Sequence, residues 1–127
     1  MSKTVKSHFY LGNIKDFPKY YAYLEERERE DRSTPLSGFC ESQGEKIVDH
    51  DFMEYGFRKE HSTLEEFFSM YSYSQHWAKS LTKIAIERQL SDSNTILFIA
   101  TSEIKEPKSV QADGFELNYV GEFEYPI

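Results

Sequence analysis

Polar and apolar positions alternate along this chain with two periods, and where the period changes an element ends. In VKSHFYLGN, Val5, Ser7, Phe9 and Leu11 share one side, with Lys6, His8 and Tyr10 on the other. That is the period of a half-buried strand, closed by Gly12-Asn13. Phe17, Tyr20, Tyr21 and Leu24 then fall at helical spacing, with Pro18 in the first turn. The charged run EERERED should carry this helix on into solvent, where Glu25 and Arg29 can pair. Thr34-Pro35 predicts the start of a second, short helix burying Leu36, Phe39 and Cys40 and stopped by Gly44.

A strand region is expected over 46–58. Ser62-Thr63-Leu64-Glu65 reads as a capping box ahead of Leu64, Phe67, Phe68 and Tyr71. Ser72-Tyr73-Ser74-Gln75 repeats that chemistry before a helix burying Trp77, Leu81, Ile84 and Ala85. NTILFIATS is nearly continuous and apolar, the mark of a strand covered on both faces. The loop 103–114 ends in the turn pair Asp113-Gly114. FELNYVGEFEY alternates again, with Phe115, Leu117, Tyr119, Phe123 and Tyr125 inward and Glu116, Asn118, Glu122 and Glu124 outward. The last two long strands then read as an antiparallel pair. The order β-α-α-β-α-α-β-β predicts an α+β fold: one domain over 1–127, with an antiparallel-rich sheet of about four strands and helices packed on it.

Composition narrows the function. The net charge is −7, and it is unevenly spread. Residues 31–66 carry nine acids against four bases, and 91–127 carry seven against two, whereas 67–90 are basic. Such a chain repels nucleic acid and anionic lipid and attracts basic proteins. No apolar run is long enough to span a membrane, and the N-terminus lacks a secretory h-region, so a cytoplasmic protein starting at Met1 is expected. Cys40 is the only cysteine, which excludes an internal disulfide and reads as a buried, reduced thiol.

Nucleotide-binding glycine loops, serine-hydrolase elbows and zinc motifs are absent, and no cofactor is expected. One stretch remains as candidate chemistry, DHDFMEYGF at 49–57. In a regular strand Asp49 and Asp51 share one face, and His50 and Glu54 the other. In a tight turn the aspartates would instead satisfy backbone amides. Three readings stand here: a solvated face, a small metal-dependent hydrolase using Asp49, His50, Asp51 and Glu54, or an acidic surface for a basic partner.

Several stretches, in order, resemble a known family. Tyr10-Leu11-Gly12 closes the first strand, SGFCESQG forms a short helix, and Asp49-His50-Asp51-Phe52-Met53-Glu54 gives a D-x-D-hydrophobic-x-E stretch. SYSQHW then enters a long helix, and NTILFIA and ELNYVGEFEY close the chain. Together these are similar to the immunity protein 22 family of bacterial polymorphic toxin systems, although Tyr10 stands where many members carry tryptophan. The resemblance implies a small α+β protein without catalysis of its own that binds and neutralises a cognate toxin domain. It carries over no catalytic residues and assigns no role to the D-x-D-x-x-E positions. An acidic protein of this kind suits a basic toxin, such as a nuclease. Asp49, Asp51 and Glu54 are the first candidates for its surface, and Glu116, Glu122 and Glu124 the second. A regulatory binding module unrelated to toxins is the other non-enzymatic reading.

Overall fold

The structure is a computed structural model describing residues 3–127; the expected start at Met1 lies outside the described residues. It is α+β, with β1 (Thr4–Ile14), α1 (Phe17–Leu24), α2 (Gly38–Ser42), β2 (Met53–Phe57), α3 (Leu64–Ser69), α4 (Ser74–Glu87), β3 (Thr95–Ala100), β4 (Val110–Ala112) and β5 (Phe115–Pro126). The strands form one open antiparallel sheet in the order β2-β3-β1-β5-β4. The fifth strand, β4, lies inside the expected 103–114 loop and pairs with β5 across Asp113-Gly114. β3 and β5 are not neighbours: β1 lies between them and pairs with both.

That central position changes the character of β1. Its Phe9 and Leu11 pack with Phe67, Phe68, Trp77 and Leu81 of α3 and α4. Its opposite side, expected to face water, packs Tyr10 with Tyr20 and Leu24 of α1 and Phe39 and Cys40 of α2. The sheet is therefore the middle of three layers. The polar side chains that β1 itself buries on this side, His8 and Tyr10, each have a partner. The Tyr10 hydroxyl donates to Gln43 Oε1 at 2.7 Å. His8 lies 2.9 Å from the Tyr119 hydroxyl and 3.0 Å from the Ile104 carbonyl.

A β-bulge breaks the β1–β5 register between Phe9 and Tyr10. Phe9 pairs with Gly121 and Tyr10 with Tyr119, so Val120 is extra and Gly121 takes φ +131°. One added residue reverses which side each later residue faces. Phe115, Leu117 and Tyr119 thus pack toward α1 and α2, but Phe123 and Tyr125 pack toward α3 and α4.

The helices depart from expectation at their ends. Asp16 caps α1 by accepting from the Lys19 N–H, and the helix stops at Leu24, the last residue with an apolar surface to join. EERERED is not helical. The Arg29 guanidinium instead ties this loop to the carbonyls of Arg32, Thr34 and Lys46. Ser37, rather than Thr34, caps α2. The capping box joins Thr63 and Glu66, one residue later than expected. α4 has no side-chain cap; Tyr73 precedes it in the left-handed region, at φ 60°.

Candidate partner-binding surface

The DHDF stretch resolves as the turn, not the strand. His50–Phe52 is one turn of 3-10 helix, capped by the Asp49 carboxylate accepting from the Asp51 N–H at 2.9 Å. Asp49's own N–H donates to Glu103 Oε1 at 2.7 Å, which fastens the turn to the segment after β3. The turn walls a shallow hollow of about 390 Å³ in which Glu26, Asp49, Asp51 and Glu103 all take part, with His50 and Ile47 among the remaining lining. His50 Nε2 has no hydrogen-bond partner among the described residues, and it faces Glu26 Oε1 at 3.6 Å. Four carboxylates from three parts of the sequence thus share one concavity, and a cation lowers their mutual repulsion.

Glu54 points elsewhere. It lies on β2, on the α3–α4 side of the sheet, and its carboxylate accepts from both the N–H and the hydroxyl of Ser72, at 2.9 and 2.7 Å. Trp77 Nε1 donates to the Ser72 carbonyl at 3.1 Å, so both sides of this residue are held. Glu54 and Asp51 border a second groove of about 250 Å³ with an apolar floor that includes Phe98, Ala100 and Tyr125. Phe52 and Tyr73 stand exposed at its rim, and Tyr73 stacks on Tyr125 with ring centroids 5.5 Å apart. Asp51 is common to both concavities. Asp49 and Glu54 therefore flank it on different slopes instead of converging.

The second set of acids does not form one face. Glu116 pairs with Asn13 on the α3–α4 side, whereas Glu122 and Glu124 pair with His8 and Lys6 on the α1–α2 side. The bulge at Val120 separates them. Glu122 also lies 3.8 Å from Lys6 and 3.7 Å from His8, so part of its charge is matched within the chain.

An aromatic row went unread in the sequence. Phe17 and Tyr21 belong to the stripe expected to be buried, yet they are 38% and 50% exposed, and Tyr55 is 42% exposed. The Phe57 ring joins them, with centroids 5.2 Å from Phe17, 5.8 Å from Tyr21 and 6.5 Å from Tyr55. An eight-residue helix with four aromatics and a leucine cannot turn all of them to one sheet. That excess was the available signal. Exposed, adjoining aromatic rings mark interaction surfaces more than they mark ordinary solvent-facing surface.

Among the described residues, no three His, Cys, Asp or Glu side chains are arranged to hold a metal ion. Asp49 and Glu54 spend carboxylate oxygens on backbone amides, and the Ser72 hydroxyl donates to Glu54 at the second groove.

Residues 8–126 match the sequence profile of the Immunity protein 22 family. The chain belongs to that family. Immunity protein 22 membership implies a toxin as partner and a binding role in place of a catalytic one. No curated protein and no solved structure matches the chain significantly. The Immunity protein 22 match takes in part or all of every element, β1 through β5, so the acidic hollow and the aromatic row lie within it, and the second groove does except at Val5, Ser7 and Ile127. No helix among the described residues is long and apolar enough to cross a membrane.

Proposed function

We propose that this chain protects its producer by binding a cognate toxin domain, one to one, through the acidic surface centred on Asp51, with Asp49 and Glu54 on its slopes. The observation that carries this reading is the concavity shared by Glu26, Asp49, Asp51 and Glu103 in a member of an immunity family. Four carboxylates in one hollow, with no Lys or Arg in its described lining, fit a basic surface, such as the substrate cleft of a nuclease, which needs Lys and Arg to hold phosphates. Occluding such a cleft needs a rigid scaffold and complementary charge but no chemistry from the inhibitor. Opposite charge also speeds encounter and orients it. Glu116, Glu122 and Glu124 form a secondary candidate set, on two separate faces.

The test is growth rescue with the toxin domain encoded beside this gene. The wild type should restore growth, and the double variant Asp49→Asn, Asp51→Asn should restore it only partly. The amides keep the turn's capping geometry while removing charge, so lost protection reports electrostatics instead of misfolding. A wild type that protects against no adjacent toxin would refute the reading.

A further inference from the structure

β2 is an edge strand whose free side is built to accept another strand. The Arg58 N–H donates to the Asn94 carbonyl, extending the β2–β3 ladder. Because antiparallel ladders bond alternate residues, Glu54 and Gly56 face β3, while Met53, Tyr55 and Phe57 turn their N–H and C=O groups outward. The Met53 N–H is taken by the His50 carbonyl; no partner for those of Tyr55 and Phe57 occurs among the described residues. Edges of this kind are normally blunted by lysine, proline or a bulge. β2, reading MEYGF, has none of these and carries a single charge, Glu54.

Resting on the toxin-binding reading, we propose that an extended segment of the toxin domain adds to β2 as a further strand, with apolar residues on one side and Lys or Arg on the other. Strand addition obtains affinity from main-chain hydrogen bonds and specificity from alternate side chains. The two sides of β2 differ sharply. On one side Tyr55 and Phe57 adjoin Phe17 and Tyr21, so the added strand's side chains there would lie on the exposed aromatic row. On the other stand Glu54, held rigid by Ser72, and Asp51 at the groove, which call for cations. Gly56, between them, is covered by the Tyr71 ring, which leaves no room there even for a Cβ. That charge also selects the occupant. A second copy of this chain would bring its own Glu54 and a net charge of −7 to the same edge, and like charges across an interface are costly.

Hydrogen exchange on the full chain, alone and with the catalytically inactivated toxin domain from the same locus, tests this. The amides of Tyr55 and Phe57 should exchange freely in the chain alone and slow by about 100-fold in the complex. Tyr55→Pro removes an outward N–H without touching the β3 ladder. It should weaken binding by about 100-fold relative to Tyr55→Ala, which removes only the ring. A complex that forms with these amides unprotected and Tyr55→Pro no weaker than Tyr55→Ala would overturn strand addition while leaving the toxin-binding reading intact. No complex at all would sink both. Protection in the chain alone, together with a dimeric mass, would assign the edge to a second copy and overturn the proposal.

Discussion

Glu54 and Ser72 are joined by two hydrogen bonds from one carboxylate, to the backbone N–H and to the hydroxyl of the same residue. Ser72 lies in the link between α3 and α4, and Trp77 holds its carbonyl. A strand side chain thus fastens the link ahead of α4, whose N-cap, the left-handed Tyr73, makes no side-chain capping bond. The same carboxylate is a candidate for a partner's cation, so its structural and recognition roles must be separated experimentally. Glu54→Ala should lower stability by about 1 kcal/mol, the usual net cost of losing a hydrogen bond. Glu54→Gln can accept the Ser72 N–H through its amide oxygen and donate its amide N–H to the Ser72 hydroxyl oxygen, and so should keep most of the stability while removing the charge. Thermal melts of the two variants check this; equal losses would mean that the charge, not the bonding, matters to the fold.

Cys40 is fully buried on α2 between the α1 layer and the sheet. Its thiol should resist a bulky labelling reagent in the native chain and react only on unfolding. Cys40→Ala should cost about 1 kcal/mol through a small cavity and leave toxin protection unchanged. Fast labelling of the native protein would contradict the packing.

Alkaline pH should destabilise this protein through its buried tyrosines. Burial pushes the Tyr10 and Tyr20 phenols far above their ordinary value, and burial pushes Tyr23 up to about 12 despite its hydrogen bond with Ser42, which acts the other way. Below about pH 10 the folded and unfolded chains both hold these protons, and the stability contribution is complete. Above it the unfolded chain sheds them first and the folded chain keeps them. Stability therefore falls as pH rises from about 10 through the folded values. Denaturant midpoints measured between pH 8 and pH 12 (chosen to bracket the ordinary tyrosine value) should be flat at first and then decline. Ultraviolet titration should show a set of tyrosines ionising only as the chain unfolds. A smooth titration of all nine near the ordinary value would contradict the doubly buried β1.

Much of this architecture was legible along the chain, for physical reasons. NTILFIA announced a strand covered on both faces because no position in it could face water. Tyr20 and Leu24 marked α1, Trp77 and Leu81 marked α4, and Asp113-Gly114 marked a turn. Errors arose where a residue's environment depends on distant pairing. β1 read as half-buried because His8 and Tyr10 are polar, and their partners Ile104, Tyr119 and Gln43 are far off in sequence. The acids of β5 read as one face because alternation was carried through Gly121; an isolated glycine inside a strand was the clue to a bulge. For the site, the two alternatives for Asp49 and Asp51 were visible, but only the fold decided for the turn. That Met53–Phe57 is an edge, and so exposes Tyr55 and Phe57 beside Phe17 and Tyr21, follows from strand order alone.

The most direct measurement is a titration of the inactivated toxin domain with this chain, read by calorimetry and by association rate at several salt concentrations. Tight one-to-one binding is expected, with association slowing as salt rises, since steering between charges is screened beyond about 8 Å at physiological ionic strength. Asp49→Asn, Asp51→Asn should weaken it by about 2 kcal/mol or more if either acid meets a toxin cation at the interface centre. Absence of binding, or binding indifferent both to salt and to these two charges, would contradict an acidic surface as the means of neutralisation.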